Sequence, residues 1–288
     1  MSATATPLAA YAGYKHFITS SPSAGVVHVE INRADKLNAF HEGMWRELGA
    51  VFNQLSRDSD VRAIVLSGAG DRAFTAGLDV KAAAEEGSIL GGKANLDTAR
   101  KAARFRRSIE DFQACISAIE KCEKPVICAM HGICLGLAID IACCADVRLA
   151  ARDARFAVKE VDIGMAADIG TLSRLPKIVG SASWVKDVCL TARDFNAAEA
   201  LAQGFVSKVL DDKKAVLAEA FKLAAFISEK SPVAVQGTKE LLNHARDHTV
   251  EDSLRYTGIW NSAALQTKDL QDALLSNLQR RKPTFEKL

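Results

Sequence analysis

Carboxylates set inside apolar sequence are the groups in this chain whose types and spacing can do chemistry. Residues 156–171 read Phe-Ala-Val-Lys-Glu-Val-Asp-Ile-Gly-Met-Ala-Ala-Asp-Ile-Gly-Thr, which places Glu160, Asp162 and Asp168 among Val, Ile, Met and Ala. A carboxylate taken out of water loses the hydration that stabilises its charge, so its pKa rises. An acid lifted toward neutrality can take up and return protons at physiological pH. We read Glu160 and Asp168 as facing one apolar substrate from two directions, with Asp162 a structural or solvated acid. Plainer roles exist: Asp168 could cap a helix opened by the following Ile-Gly-Thr-Leu-Ser-Arg-Leu, and Glu160 could sit in water.

Two glycine turns supply the complementary chemistry. One spans residues 74–81 after an apolar strand, and the other spans 132–140 and enters a helix. One backbone N–H from each could converge on a carbonyl oxygen, with the helix dipole behind the second. Donors fixed in advance stabilise an enolate, and losing one typically costs roughly 10²–10³ in rate. Enolate chemistry also needs an acid or base at the neighbouring carbons, which the carboxylates provide.

Holding these groups together takes a layered scaffold. Apolar runs at 16–19, 26–31, 61–66, 125–130, 146–150 and 206–210 predict strands, with a turn at 21–25 and a further turn at 131–136. Helical spacing predicts helices over 42–55, with Met44, Leu48, Val51 and Phe52 on one side, over 96–121 and over 137–144. A repeated strand, strand, helix order implies a mixed sheet layered with helices. After Thr171 the pattern is mostly helical, at 181–190, 197–203, 213–227, 233–247, 250–265 and 268–278. The last four read as an appended bundle whose faces at Leu241/Leu242 and Leu274/Leu275 need the core or another subunit as partner. Residues 85–95 are small, polar and glycine-containing, and predict a mobile loop. Arg100, Lys101, Arg104, Arg106 and Arg107 form a solvated face; lacking interleaved aromatics apart from Phe105, they make a weak nucleic-acid surface.

Totals exclude several classes. A net charge of +2 over 288 residues gives no global field toward nucleic acid. No apolar run approaches the ~18 residues of a membrane span. The seven cysteines (115, 122, 128, 134, 143, 144 and 189) are odd in number, lack Cys-x-x-Cys spacing and mostly lie in apolar runs. They read as reduced, buried thiols of an intracellular protein rather than a disulfide framework or zinc site. The N-terminus lacks the layout of a secretory signal and the arginines of a mitochondrial presequence. The ending Glu286-Lys287-Leu288 is close to the peroxisomal Ser-Lys-Leu, with Glu in place of the small residue.

Several segments together resemble the crotonase (enoyl-CoA hydratase/isomerase) superfamily: Ile31-Asn-Arg to Leu37-Asn-Ala-Phe, Ala73-Phe-Thr-Ala-Gly-Leu-Asp, Lys124-Pro-Val to Gly136-Leu-Ala-Ile-Asp, Ala145-Asp-Val-Arg, and residues 156–176. The similarity runs through Ser231-Pro-Val-Ala and covers most of the chain. It implies an α/β fold: a crotonase-like spiral of ββα units carrying the active site over residues 1–192, then a helical trimerisation region over 193–288. It implies an acyl-CoA thioester substrate and a homohexamer built as a dimer of trimers. No metal or redox cofactor is implied, because CoA is part of the substrate, and neither nucleic acid nor a membrane span is expected.

Within that resemblance the acids discriminate. Hydratases have glutamates at the positions matched by Asp140 and Glu160, and usually glycine at that of Asp168. The trio Asp140, Glu160 and Asp168 is instead similar to the dienoyl-CoA isomerase branch. The resemblance implies conversion of 3,5-dienoyl-CoA to 2,4-dienoyl-CoA by C2-to-C6 proton transfer through a dienolate, in the β-oxidation of unsaturated fatty acids. Glu160 would serve C2, Asp168 would serve C6, and Asp140 would orient or electrostatically support the C2 end. The backbone N–H groups of Leu78 and Leu137 would form the oxyanion hole. Ala76, Gly77, Leu78, Asp79, Val80 and Lys81, with Gly136, Ala138 and the loop Leu37, Asn38 and Ala39, would contact substrate or its CoA moiety. Where the family often has three glycines this chain has Gly136-Leu137-Ala138, so the Leu137 side chain must point away from the thioester. The alternatives are an enoyl-CoA hydratase, a Δ3-Δ2-enoyl-CoA isomerase, or a non-catalytic RNA-binding or scaffold relative. The location implied is the peroxisome, with the mitochondrion as the alternative.

Overall fold

The computed structural model describes residues 6–84 and 96–288; the loop expected over 85–95 lies outside the described residues. The chain starts with β1 (Thr6–Pro7), β2 (Phe17–Ser23) and β3 (Val26–Ile31), joined as antiparallel neighbours. From β3 onward the large sheet is parallel through β4 (Ala63–Gly68), β6 (Val126–Met130), β8 (Val147–Ala151) and β11 (Lys208–Leu210). Its order is β1-β2-β3-β4-β6-β8-β11. Every residue of β4 and β6 is buried, as expected for parallel strands covered on both faces.

A smaller sheet stands beside it, in the order β10-β9-β7-β5. Its members are β5 (Ala73–Thr75), β7 (Ile133–Leu135), β9 (Arg155–Ala157) and β10 (Phe195–Asn196). The segment read as a turn at 131–136 therefore contains a strand, and so does the start of the acid-bearing stretch. The predicted turn at 21–25 is also shorter: β2 continues through Pro22, with a register shift between Ser20 and Ser23. Pro22 cannot donate to a ladder, and an irregularity is where a strand tolerates that loss.

Helices seal the sheets. α1 (Glu42–Arg57) buries Met44, Trp45, Leu48, Val51, Phe52 and Leu55 at three- and four-residue intervals. After the short α2 (Val80–Ala84), α3 (Thr98–Lys121) starts at Asp97, whose side chain accepts from the Arg100 N–H. α3 crosses α1 with Trp45 stacked on Phe112, ring centroids 4.6 Å apart. α4 (Leu137–Cys144) is buried on all sides, and α5 (Thr171–Ile178), α6 (Ala182–Thr191) and α7 (Ala197–Ala202) follow. α8 (Lys213–Ser228) packs Val216, Ala220 and Ala224 on Val65, Ile127 and Leu149 of the large sheet. β10, β11 and α8 thus complete the sheet layers from beyond residue 192, rather than belonging to an appended bundle. α9 (Pro232–Asp247), α10 (Val250–Ala264) and α11 (Lys268–Leu278) follow, with α9 joined to the residues before β6 and β8 by its buried Lys239, which donates to Lys124 O and Asp146.

Candidate active site

A cavity of about 210 Å³ opens where the two glycine turns, α3 and the acid-bearing stretch meet. Ala76, Gly77, Leu78 and Val80 line one side, and Gly136, Leu137 and Asp140 another. Glu160, Asp168, Ser108, Lys159 and the apolar side chains Phe105, Ile109, Phe112, Ile163, Met165 and Ile169 complete it. All three acids singled out in the sequence therefore border one mostly apolar space.

The turn into α4 is built for close approach. Gly136 has φ 52°, ψ −113°, a conformation that glycine adopts freely, and a Cβ there would lie 3.2 Å from Glu160 Oε1. Leu137 is the first residue of α4, so its N–H has no intrahelical acceptor. On the opposite turn, Phe40 N–H donates to Gly77 O and Asp79 N–H donates to Phe40 O, which leaves the intervening Leu78 N–H unused. Among the described residues neither the Leu78 nor the Leu137 amide has a hydrogen-bond acceptor. The Leu137 side chain is part of the main core.

Each carboxylate has its own environment. Asp140 lies one turn into α4 and is 1% exposed. Its Oδ1 accepts from both the amide and the hydroxyl of Thr171, each at 2.7 Å. Burial pushes its pKa up to about 6 against the pull of those two donors, and the nearby charge of Asp168 adds to the rise. Glu160 opens the single-turn 3-10 helix Glu160–Ile163 that follows β9. Its Oε2 is buried without a hydrogen-bond partner. Burial first, then the charge of Asp140, push the Glu160 pKa up to about 7. Asp168 is half-buried with its pKa raised by desolvation, and its backbone carbonyl accepts from the Gln113 side chain of α3. It is not the cap of α5, a position held by Gly170.

Other residues named from the sequence lie outside the cavity wall. Asn38 is fully buried: its Oδ1 accepts from Arg33 N–H, and its Nδ2 donates to Ala69 O and Ala73 O. With its amide committed, Asn38 pins the loop that carries Leu37 and Ala39. That loop abuts the first glycine turn through Ala76 N–H to Leu37 O at 2.9 Å. Asp79 pairs with Arg33 at 2.8 Å, Lys81 is exposed, and Ala138 is buried in the core. Asp162 is exposed and pairs with Lys159. Sequence reading missed Thr171 and the wall formed by Phe105, Ile109 and Phe112. The latter was detectable as an i, i+4, i+7 stripe on α3.

Among the described residues no cluster of three His, Cys, Asp or Glu side chains is placed to hold a metal, and no helix is long and apolar enough to cross a membrane.

The profile of the enoyl-CoA hydratase/isomerase family matches residues 21–287. The chain is 47% identical over 278 residues to the mitochondrial Delta(3,5)-Delta(2,4)-dienoyl-CoA isomerase of Pongo abelii, covering 96% of this chain and 84% of that one. It is 41% identical over 271 residues to the peroxisomal Delta(3,5)-Delta(2,4)-dienoyl-CoA isomerase of Arabidopsis thaliana, covering 94% and 96%. The crystal structure of an enoyl-CoA hydratase from Bacillus anthracis superposes with a TM-score of 0.84 over 94% of this chain and 99% of that one; at 24% identity this likeness concerns the fold. By its sequence, its paired sheets and its helical cover, the chain belongs to the enoyl-CoA hydratase/isomerase family.

Proposed function

We infer that this protein is a Δ3,5-Δ2,4-dienoyl-CoA isomerase of unsaturated fatty-acid β-oxidation. The observation that carries the reading is the meeting of three carboxylates, Asp140, Glu160 and Asp168, on one apolar cavity. The names of relatives at 41–47% identity support it. The thioester oxygen accepts from the free amides of Leu78 and Leu137. Glu160, ionised, removes a proton from C2; the electron pair moves through the diene, forming C2=C3 and C4=C5, with the negative charge shared with the thioester oxygen. Asp168, protonated, delivers a proton to C6. Glu160 ends protonated and Asp168 ionised, and exchange with solvent resets both. A long conjugated anion needs acids at both ends, because one carboxylate cannot reach C2 and C6. Asp140 stays charged and supports the C2 end.

Incubation with a 3,5-dienoyl-CoA tests this directly. Ultraviolet absorbance of the conjugated 2,4-dienoyl thioester should grow without added cofactor. No such product, together with water addition to a 2-enoyl-CoA, would replace the reading with a hydratase. Self-association through α9–α11 completes the proposal. Leu242, Leu254, Ile259, Leu274 and Leu278 on these helices are exposed, and a homohexamer of two trimers would cover such faces. The mitochondrial and peroxisomal relatives support one of these two compartments as its place of action.

A further inference from the structure

We propose that Thr171 is a positioning residue whose amide and hydroxyl together hold one oxygen of Asp140, keeping that carboxylate anionic so that Glu160 is the acid that exchanges a proton. The geometry is specific. Thr171 is fully buried, and both of its donors reach the same Oδ1 at 2.7 Å. Oδ2 of Asp140 has no hydrogen-bond partner among the described residues, in a side chain that borders the cavity. Two donors on one oxygen fix the plane of the carboxylate and stabilise its charged form. Glu160 stands in contrast, with a buried oxygen that receives no donor at all. Two neighbouring acids, one with two donors on a single oxygen and one with a buried oxygen that meets none, are thereby given different proton affinities.

The clamp is braced from behind. The backbone reaches Thr171 through Gly170, at φ 153°, where a Cβ would run into the Arg174 guanidinium. Arg174 is held by Glu120 and Ser117 of α3, each at 2.9 Å. An ion pair three residues after Thr171 thereby ties α5 to α3. The ionisable groups around Asp140 are Glu160, Asp168 and Arg174, with the thiols of Cys143 and Cys144 on α4 and of Cys189 on α6. Lys159 also lines the cavity but pairs with Asp162 and Asp194, which leaves Arg174 as the cation in this set, so the two Thr171 donors supply stabilisation that charges alone do not.

The kinetic consequence rests on the isomerase reading. Thr171→Val keeps the shape and the amide but removes the hydroxyl; Thr171→Ser keeps the hydroxyl. The acid limb of kcat/KM reports the first proton bound by the Asp140–Glu160 pair. Losing a donor to the anion favours the protonated form. In Thr171→Val that limb should therefore move to higher pH by about 0.3 to 1 unit, because the proton affinity of Asp140 must first climb from about 6 past the value of about 7 that Glu160 sets. Thr171→Ser should return it to the wild-type position. A threonine that only tied α5 to α4 would lower the plateau and leave the limb in place. An unmoved limb in Thr171→Val, or a Thr171→Ser profile like that of valine, overturns the proposal. If the valine variant does not fold, carboxyl ¹³C titration of the wild-type protein without substrate decides: Asp140 titrating below Glu160 supports the clamp, and the reverse order removes it. Absence of 3,5-dienoyl-CoA turnover by the wild type would sink the isomerase reading, while that titration would still test the clamp.

Discussion

Acid should switch this enzyme off far above the range of an ordinary glutamate. Glu160 must be ionised to take the C2 proton, and its pKa is pushed from 4.5 up to about 7, by burial first and by the charge of Asp140 second. At pH 5.5 a group of pKa 7 is about 3% ionised, whereas one of pKa 4.5 is about 90% ionised. The structure therefore predicts that kcat/KM falls about 30-fold between its plateau and pH 5.5, approaching tenfold per unit. A solvated glutamate in the same role would show almost no fall. The assay is the initial rate of 2,4-dienoyl-CoA absorbance at constant ionic strength, with circular dichroism confirming that the fold persists at each pH. Glu160→Gln should lose about 10²–10⁴ in kcat, equivalent to about 3–5 kcal/mol of barrier, and its residual rate should lack the limb. A profile flat from pH 8 to 5.5 would refute both the base assignment and the desolvation argument behind it.

Three further outcomes follow from the same geometry. Asp168→Asn should lower isomerisation by about 10²–10⁴ yet still exchange the C2 hydrogens of bound substrate with deuterium in D₂O, because Glu160 remains; loss of exchange as well would show that the two acids do not divide the ends between them. Gly136→Ala places a side chain at φ 52° with its Cβ 3.2 Å from Glu160 Oε1, so it should cost about 1–2 kcal/mol in denaturant unfolding and at least about tenfold in kcat; an unchanged kcat would separate this turn from catalysis. Glu160→Gln should also be the more stable protein at pH 8, by up to about 3 kcal/mol. The native state holds its Glu160 proton up to about 7 while the unfolded chain releases it near 4.5, so wild type loses stability as pH rises through that window. Urea midpoints that differ as much at pH 4 as at pH 8 would contradict this.

How much of this was legible depends on the range of the interaction. α1 was plain because its buried residues repeat every three or four positions, and β4 and β6 because parallel central strands are apolar throughout. β7 and β9 were not: three residues each give no alternation to read, and both exist because they pair laterally with one another. α8 looked like a bundle helix, since its alanine-rich stripe of Val216, Ala220 and Ala224 does not state whether a sheet or a helix lies against it. The acids and glycine turns could be found by residue type and neighbours. Thr171 could not, because its bond to Asp140 joins residues 31 apart. The stripe of Phe105, Ile109 and Phe112 was written in the chain but interleaved with arginines that read as a solvated face.

The chemistry asks for a conflict that the fold must sustain. Proton transfer at both ends of a dienolate needs two acids in an apolar space, and the third carboxylate raises the cost of charging the others. Asp140 and Glu160 both sit well above their ordinary pKa values, each for the same first reason, burial. They differ in what meets their oxygens: two donors for Asp140, none for Glu160 Oε2. That difference lets neighbouring carboxylates of similar chemistry take different roles, one as a fixed charge and one as a base. Relieving the conflict by giving Glu160 a hydrogen-bond donor would stabilise its anion and lower its pKa toward 4.5, and with it the driving force for abstracting the C2 proton. The donors that Thr171 gives to Asp140, with Gly170 and the Arg174–Glu120 pair behind them, are what set the two carboxylates apart.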